Sequence, residues 1–176
     1  MLIAHLPAGY PVPTAVVGKE APNAKSCFAA GLLGSVCLDL DIFYFYLYDN
    51  QAHDHHTYWT HIPFYWLLIG FLSMIVSLRW KNTSHVFGIF FLNVFVHLIL
   101  DTLVGGILWT HPVSETDQMI RLFTVPTVYE PKLVYGFFEG WMLNMFIHWS
   151  FFVEVVICTS AFAVLTKKHF AKKADI

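Results

Sequence analysis

Apolar residues run along this chain in four long stretches, and few polar residues interrupt them. The stretches near 27–48, 62–78, 86–108 and 138–165 each approach the ~20 residues that a membrane-crossing helix needs. The second is short and is expected to begin inside the preceding loop. The last exceeds the bilayer and is expected to tilt or protrude. The pattern predicts an all-α integral membrane bundle of four transmembrane helices, forming one domain over 1–176. Between the third and fourth stretches, 109–135 reads as a loop, polar at HPVSETDQ and carrying Pro112, Pro126 and Pro131. It is long enough to act as a lid over that face.

Composition narrows the class. Of 176 residues, 57% are hydrophobic and 12% charged, and the mean hydropathy is +0.58. That fits a polytopic membrane protein and not an ordinary soluble domain. A net charge of −2 without a basic block gives no footprint for nucleic acid. Cys27, Cys37 and Cys158 lie in or beside apolar stretches without metal-like spacing and read as small buried hydrophobes. The opening MLIAHLPAGYPVP lacks the basic start and long apolar run of a cleavable signal peptide.

Lys and Arg set the expected orientation. Four spans put the N-terminal region, the 79–85 loop and the C-terminal tail on one side, with Lys19, Lys25, Arg79, Lys81, Lys167, Lys168, Lys172 and Lys173. The loops 49–61 and 109–137 hold only Arg121 and Lys132. The segment HDHHTYWTH therefore faces outside, periplasmic in a bacterium with two membranes. Trp59, Trp109 and Trp141 fit an aromatic belt there.

Ionisable residues within the apolar stretches are the chemistry to explain. The first carries Asp39 and Asp41, and the third His97 and Asp101. The loop between the first two carries His53, Asp54, His55, His56 and His61. A charged carboxylate at the bilayer centre costs about 2.5–3.5 kcal/mol on insertion scales. It persists when it pairs, faces a polar interior or binds a cation, and imidazole with carboxylate suits a metal. The plain alternative is a set of interhelical hydrogen bonds. At about 1.5 Å per residue, Asp41, Asp39, Asp101, His97 and His148 all lie roughly 12–18 Å below the outer helix ends. His61 caps the second span. Every span thus offers a ligand type at one depth, which scattered polar residues would have no reason to do.

Facing refines the set. His97 and Asp101 are i,i+4 and share a helix face, which Asn93 extends. Asn144 and His148 form a similar stripe. Asp39 and Asp41, at i,i+2, cannot face one partner in a regular helix. Either one supports the other's site from behind or the helix is distorted there. Glu154, nearer the midplane, reads as an interhelical or supporting carboxylate. His85 and His169 read as interfacial, and Glu115 and Asp117 as loop charges. His53, His55 and His56 are each as readily solvated loop histidines as ligands, and the same holds for His111.

The order of these motifs resembles the bacterial membrane-bound metal-dependent hydrolase family, the LexA-binding, inner membrane-associated hydrolases. That family has an early His, a helix ending in PDLD, then HRGxTH, then HxxxD. Here His5 stands in AHLPAGY, Asp39 and Asp41 in CLDLD, His56 and His61 in HTYWTH, and His97 and Asp101 in HLILD. These motifs span residues 5–101. Cys37-Leu38 and Thr57-Tyr58 depart from the pattern, and the second departure removes the family's Arg. More remotely, the chain is similar to zinc-dependent phospholipase C, which implies phosphoester hydrolysis and makes His111 and His148 late ligands. The HxxxE expected there is absent.

The resemblance implies a site of His5, Asp39, Asp41, His56, His61, His97, Asp101 and His148 around divalent metal, zinc above all. Asp39 and Asp101 are the candidate catalytic carboxylates. For His5 to arrive, residues 1–17 must thread into the bundle, and Pro7, Pro11 and Pro13 favour an extended or re-entrant course. The expectation is a multi-pass inner-membrane hydrolase, surrounded by membrane lipids, with its site toward the outer leaflet. It would act on a lipid or lipid-linked phosphoester. The rivals are a membrane di-iron oxidase with histidine boxes, and a non-enzymatic ion transporter. An ion path should continue inward, yet the second span carries no ionisable residue before Arg79.

Overall fold

The computed structural model describes residues 3–17, 23–80, 83–114, 118–124 and 146–174. Among them the chain is helical, without a strand. Two short helices, α1 (His5–Ala8) and α2 (Pro11–Val16), precede α3 (Ala24–Val36). A tight 3-10 turn, Leu38–Asp41, leads into α4 (Ile42–Leu47). Two further 3-10 turns, His55–Thr57 and Trp59–His61, bring the chain to α5 (Pro63–Ser77) and α6 (Ser84–Val104). The last described helix is α7 (Ser150–Ala174).

The four-span expectation is met only in part. Among the described residues, α6 and the stretch Ser150–Lys167 of α7 are long and apolar enough to cross a membrane. A third span results if α3 and the 38–47 segment, bent by 46°, count as one. Helix α5, at 15 residues, is shorter than a bilayer requires. Residues 138–145 of the expected fourth span lie outside the described set.

The N-terminal segment also departs from the expected extended course, because its prolines sit where a helix tolerates them. Pro11 is the first residue of α2, where the missing N–H costs no intrahelical bond. Pro7 likewise lies within the first turn of α1.

Helix α6 is the axis of the bundle. Helix α3 packs along it, α5 covers another side, and α1 is wedged between α3, α6 and α7. The α3–α6 crossing is close because Gly34 has no side chain. A Cβ there would press on the Phe90 carbonyl, 3.1 Å from its carbon. Small residues at such crossings let membrane helices approach closely. Gly9 and Gly31 do the same for α1 on α3, each placing its Cα against the other's carbonyl. Leu38, Trp66, Val94, Leu98 and Ile107 form the apolar core beneath the site. Outward, Phe43, Leu67, Phe71, Leu72, Phe152 and Phe162 are exposed, a surface suited to lipid.

Candidate metal centre

Asp101 is the hub. It is 1% exposed, one turn below His97 on α6. Its Oδ1 lies 3.1 Å from His5 Nε2. Its Oδ2 lies 3.0 Å from His97 Nε2 and 3.7 Å from both His61 Nε2 and His56 Nε2. Asp39 Oδ1 approaches from the other side, 3.5 Å from His97 Nε2 and 3.9 Å from His61 Nε2. The ligand atoms of His5, Asp39, His97 and Asp101 all fall within 4.8 Å of one another. Those of His55, His56 and His61 form a second such group.

Each ligand arrives by a local device. The break after Val36 solves the i,i+2 problem of the two aspartates: both carboxylates meet His61, from opposite ends of its ring. Asp39 faces the ligand atoms. Asp41 accepts from His61 Nδ1 at 2.9 Å and from the Thr60 hydroxyl. Asp41 thus stands behind His61 and orients its ring, one of the two arrangements that the i,i+2 spacing left open. Trp66 Nε1 donates to Thr60 O at 2.6 Å and pins the same loop to α5. Asp54 caps the His55–Thr57 turn by accepting from His56 N at 3.0 Å. Burial opposes the charge of Asp54, but the hydrogen bonds from His56 and the charges of His56 and His55 together outweigh it and bring the carboxyl down to about 2.

His5 is 4% exposed and stacks on His97, with ring centroids 3.8 Å apart. Glu154 of α7, fully buried, holds the segment in place by accepting from Ile3 N at 2.5 Å. That gives this carboxylate the supporting role expected of it.

The donor set fits a cation. His97 Nδ1 lies 2.7 Å from Ser35 O, one of the last-turn carbonyls of α3 that have no intrahelical partner. A carbonyl only accepts, so Nδ1 carries the proton and a neutral ring presents its lone pair at Nε2. The Asp41 carboxylate imposes the same tautomer on His61. A carboxylate or carbonyl behind a ring is the usual support of a metal-binding histidine. The Nε2 atoms of His5, His61 and His97 are buried and point at the carboxylate oxygens of Asp39 and Asp101, 3.0–3.9 Å away. With the His61 and His97 rings neutral, their lone pairs face carboxylate oxygens across a dry space, an arrangement that a cation between them would stabilise. Two atoms each about 2.0–2.1 Å from one zinc stand roughly 3.3–3.4 Å apart at a tetrahedral angle. The observed 3.0–3.9 Å separations bracket that value.

His55 is the member that sequence reasoning undervalued. Burial, with the charges of His56 and His61 beside it, pushes His55 down to about 4. The ring is neutral near pH 7 and able to ligate. Adjacent histidines in a loop carry no periodic signal of where they point. His148 and His111 belong to neither group among the described residues. His148 Nδ1 instead pairs with Ser150 Oγ at 2.8 Å. Asn93 turns back on its own helix, its side chain donating to Ile89 O. Beside the start of α5, Pro63, Phe64, Leu67, Trp109 and Val113 line an open, mostly apolar cavity of about 600 Å³, with His111 at its wall.

The model of one known family, the YdjM inner membrane protein family, matches residues 1–170. The chain belongs to that family. It is therefore an inner membrane protein, and its exposed apolar helices agree with that location. No curated protein matches the chain, and no solved structure does. The YdjM family assignment covers every residue of the His/Asp cluster, from His5 to Asp101.

Proposed function

We propose that this YdjM-family protein is a multi-pass, metal-dependent hydrolase of the inner membrane, with its site toward the periplasmic leaflet. The observation that carries the reading is the pair of fixed tautomers at His61 and His97, which turn buried Nε2 lone pairs toward Asp39 and Asp101. His5, Asp39, His97 and Asp101 would hold one divalent ion, and His55, His56 and His61 a second, with Asp101 in reach of both groups. Zinc suits this mixture of imidazole and carboxylate. Bound there, it would lower the pKa of a water ligand toward about 7 and polarise the scissile group.

The two carboxylates then divide the work by exposure. Asp101, buried among four histidines, would position the ligands. Asp39, with a side chain 38% exposed, would ligate through Oδ1 and use its other oxygen to accept a proton and release it to solvent. The apolar cavity beside α5 and the lipid-facing shell around it favour a lipid or lipid-linked phosphoester as substrate. The test is hydrolysis of a chromogenic phosphodiester and of short-chain phospholipids by the purified protein. Turnover should vanish with chelator, return with zinc and be lost in His97→Ala. Turnover indifferent to chelator, or none on any phosphoester, would count against the reading.

A further inference from the structure

Arg121 is held close to the histidine cluster by the segment that follows α6. Residues 119–123 are tied across the end of α6. Ile107 and Ile120 exchange backbone hydrogen bonds of 3.0 and 2.8 Å. Leu122 N donates to Thr102 O at 2.9 Å, and Phe123 N to Leu103 O at 2.8 Å. These bonds satisfy carbonyls that the last turn of a helix leaves open, and they fix Arg121 between them.

The Arg121 Nη2 then donates to Gly105 O at 2.8 Å. Gly106 adopts φ +89°, and a Cβ there would lie 3.2 Å from Arg121 Nε and 3.4 Å from Nη2. Both the backbone angle and the space under the guanidinium require glycine at 106. Gly105, the residue that holds Arg121, also abuts the centre: a Cβ on it would lie 2.9 Å from His56 Nδ1 and 3.0 Å from Nε2. Chaining these contacts places the guanidinium within about 9 Å of His56 Nε2. Arg121 is exposed, and among the described residues it meets no carboxylate and makes no second hydrogen bond. A guanidinium has five N–H donors in a planar fork matched to phosphate oxygens.

We propose that Arg121, held by Gly105 and Gly106 beside the histidine cluster, forms with that cluster a subsite for a phosphoryl oxyanion. The substrate class is then an anionic phosphoester, not a neutral ester or amide. This rests on the metal-hydrolase reading and names what its site recognises. Phosphate on a lipid headgroup and free phosphate share this chemistry, and the experiment separates them.

The experiment measures binding of inorganic phosphate and of short-chain phosphatidate to zinc-loaded protein by calorimetry, with zinc content determined on the same samples. Wild type is compared with Arg121→Gln and Arg121→Lys. Arg121→Gln should weaken the bound probe about 10-fold or more, the scale of a charged hydrogen bond. Arg121→Lys should recover part of that loss, keeping the charge but not the fork. Zinc content should be unchanged in both. Tighter binding of phosphatidate assigns the phosphate to a lipid, and tighter binding of inorganic phosphate assigns it to a soluble species. Wild-type affinity in zinc-loaded Arg121→Gln, or no binding of either probe by zinc-loaded wild type, overturns the subsite alone. A wild type that takes up no zinc removes the metal reading and the subsite with it.

Discussion

Asp41→Asn isolates the orienting bond behind His61. The substitution preserves shape, and the amide oxygen still accepts one of the two hydrogen bonds now made by Asp41 Oδ2, from His61 Nδ1 and Thr60. What it removes is the charge that keeps the proton on Nδ1 and the lone pair on Nε2. Changes to such supporting partners typically weaken metal binding about 10–100-fold. At free zinc 100 times the wild-type Kd, binding stabilises the fold by about 2.7 kcal/mol. The variant at the same zinc concentration would retain only about 0.4–1.4 kcal/mol. Two assays read this: competition for zinc against a chromophoric chelator, and thermal unfolding with and without zinc. The expected result is a raised Kd and a smaller zinc-dependent rise in Tm, with the metal-free Tm nearly unchanged. A zinc Kd equal to that of wild type would refute the reasoning, since His61 would then be held correctly by packing alone.

Three further outcomes follow from other parts of the molecule. Gly34→Ala should destabilise the fold by about 1–3 kcal/mol, because the added methyl meets the backbone of Phe90, whereas Gly88→Ala, with nothing within 4 Å, should be neutral or mildly stabilising in the same unfolding assay. His55 is held down to about 4 from an unfolded value near 6.5. The unfolded chain binds that proton first, so metal-free stability should fall as pH drops from about 6.5 toward 4, and in His55→Ala that part of the slope should disappear from melts taken across the range. In a variant with Cys27, Cys37 and Cys158 changed to alanine, Ser114→Cys should react with an impermeant thiol reagent from the periplasmic side and Thr83→Cys should not; the reverse would put the site at the cytoplasmic face.

The sequence was most readable where regular helical geometry applied. His97 and Asp101 share a face because they are i,i+4 on α6, and both reach the cluster. Asp39 and Asp41 were ambiguous because i,i+2 has no common face in an α-helix, and only the 3-10 turn at Leu38–Asp41 shows which one faces the ligand atoms. Depth grouped Asp39, His97 and Asp101, whose ligand atoms the structure brings together, with His148, which lies in neither group among the described residues, since a shared depth says nothing about which way a side chain points. His148 is buried against Ser150 instead. Prolines misled the reading of the N-terminal segment, because Pro blocks a helix interior but not its first turn. His5 still reaches Asp101, carried by α1 and not by extended chain. Arg121 carried no motif at all. Its place against Gly105 and Gly106 depends on a backbone tie between residues 107 and 120, which no local pattern announces.

The central claim is that buried Nε2 lone pairs around Asp101 hold a divalent metal, and the most direct measurement is metal content and affinity in wild type and Asp101→Asn. Elemental analysis of protein purified without chelator should find at least one divalent ion per wild-type chain. Asp101→Asn should insert and fold but bind metal about 10–100-fold more weakly. Wild type without stoichiometric divalent metal, or Asp101→Asn with unchanged stoichiometry and affinity, would contradict the account and leave the cluster as hydrogen-bonded polar residues of a membrane bundle.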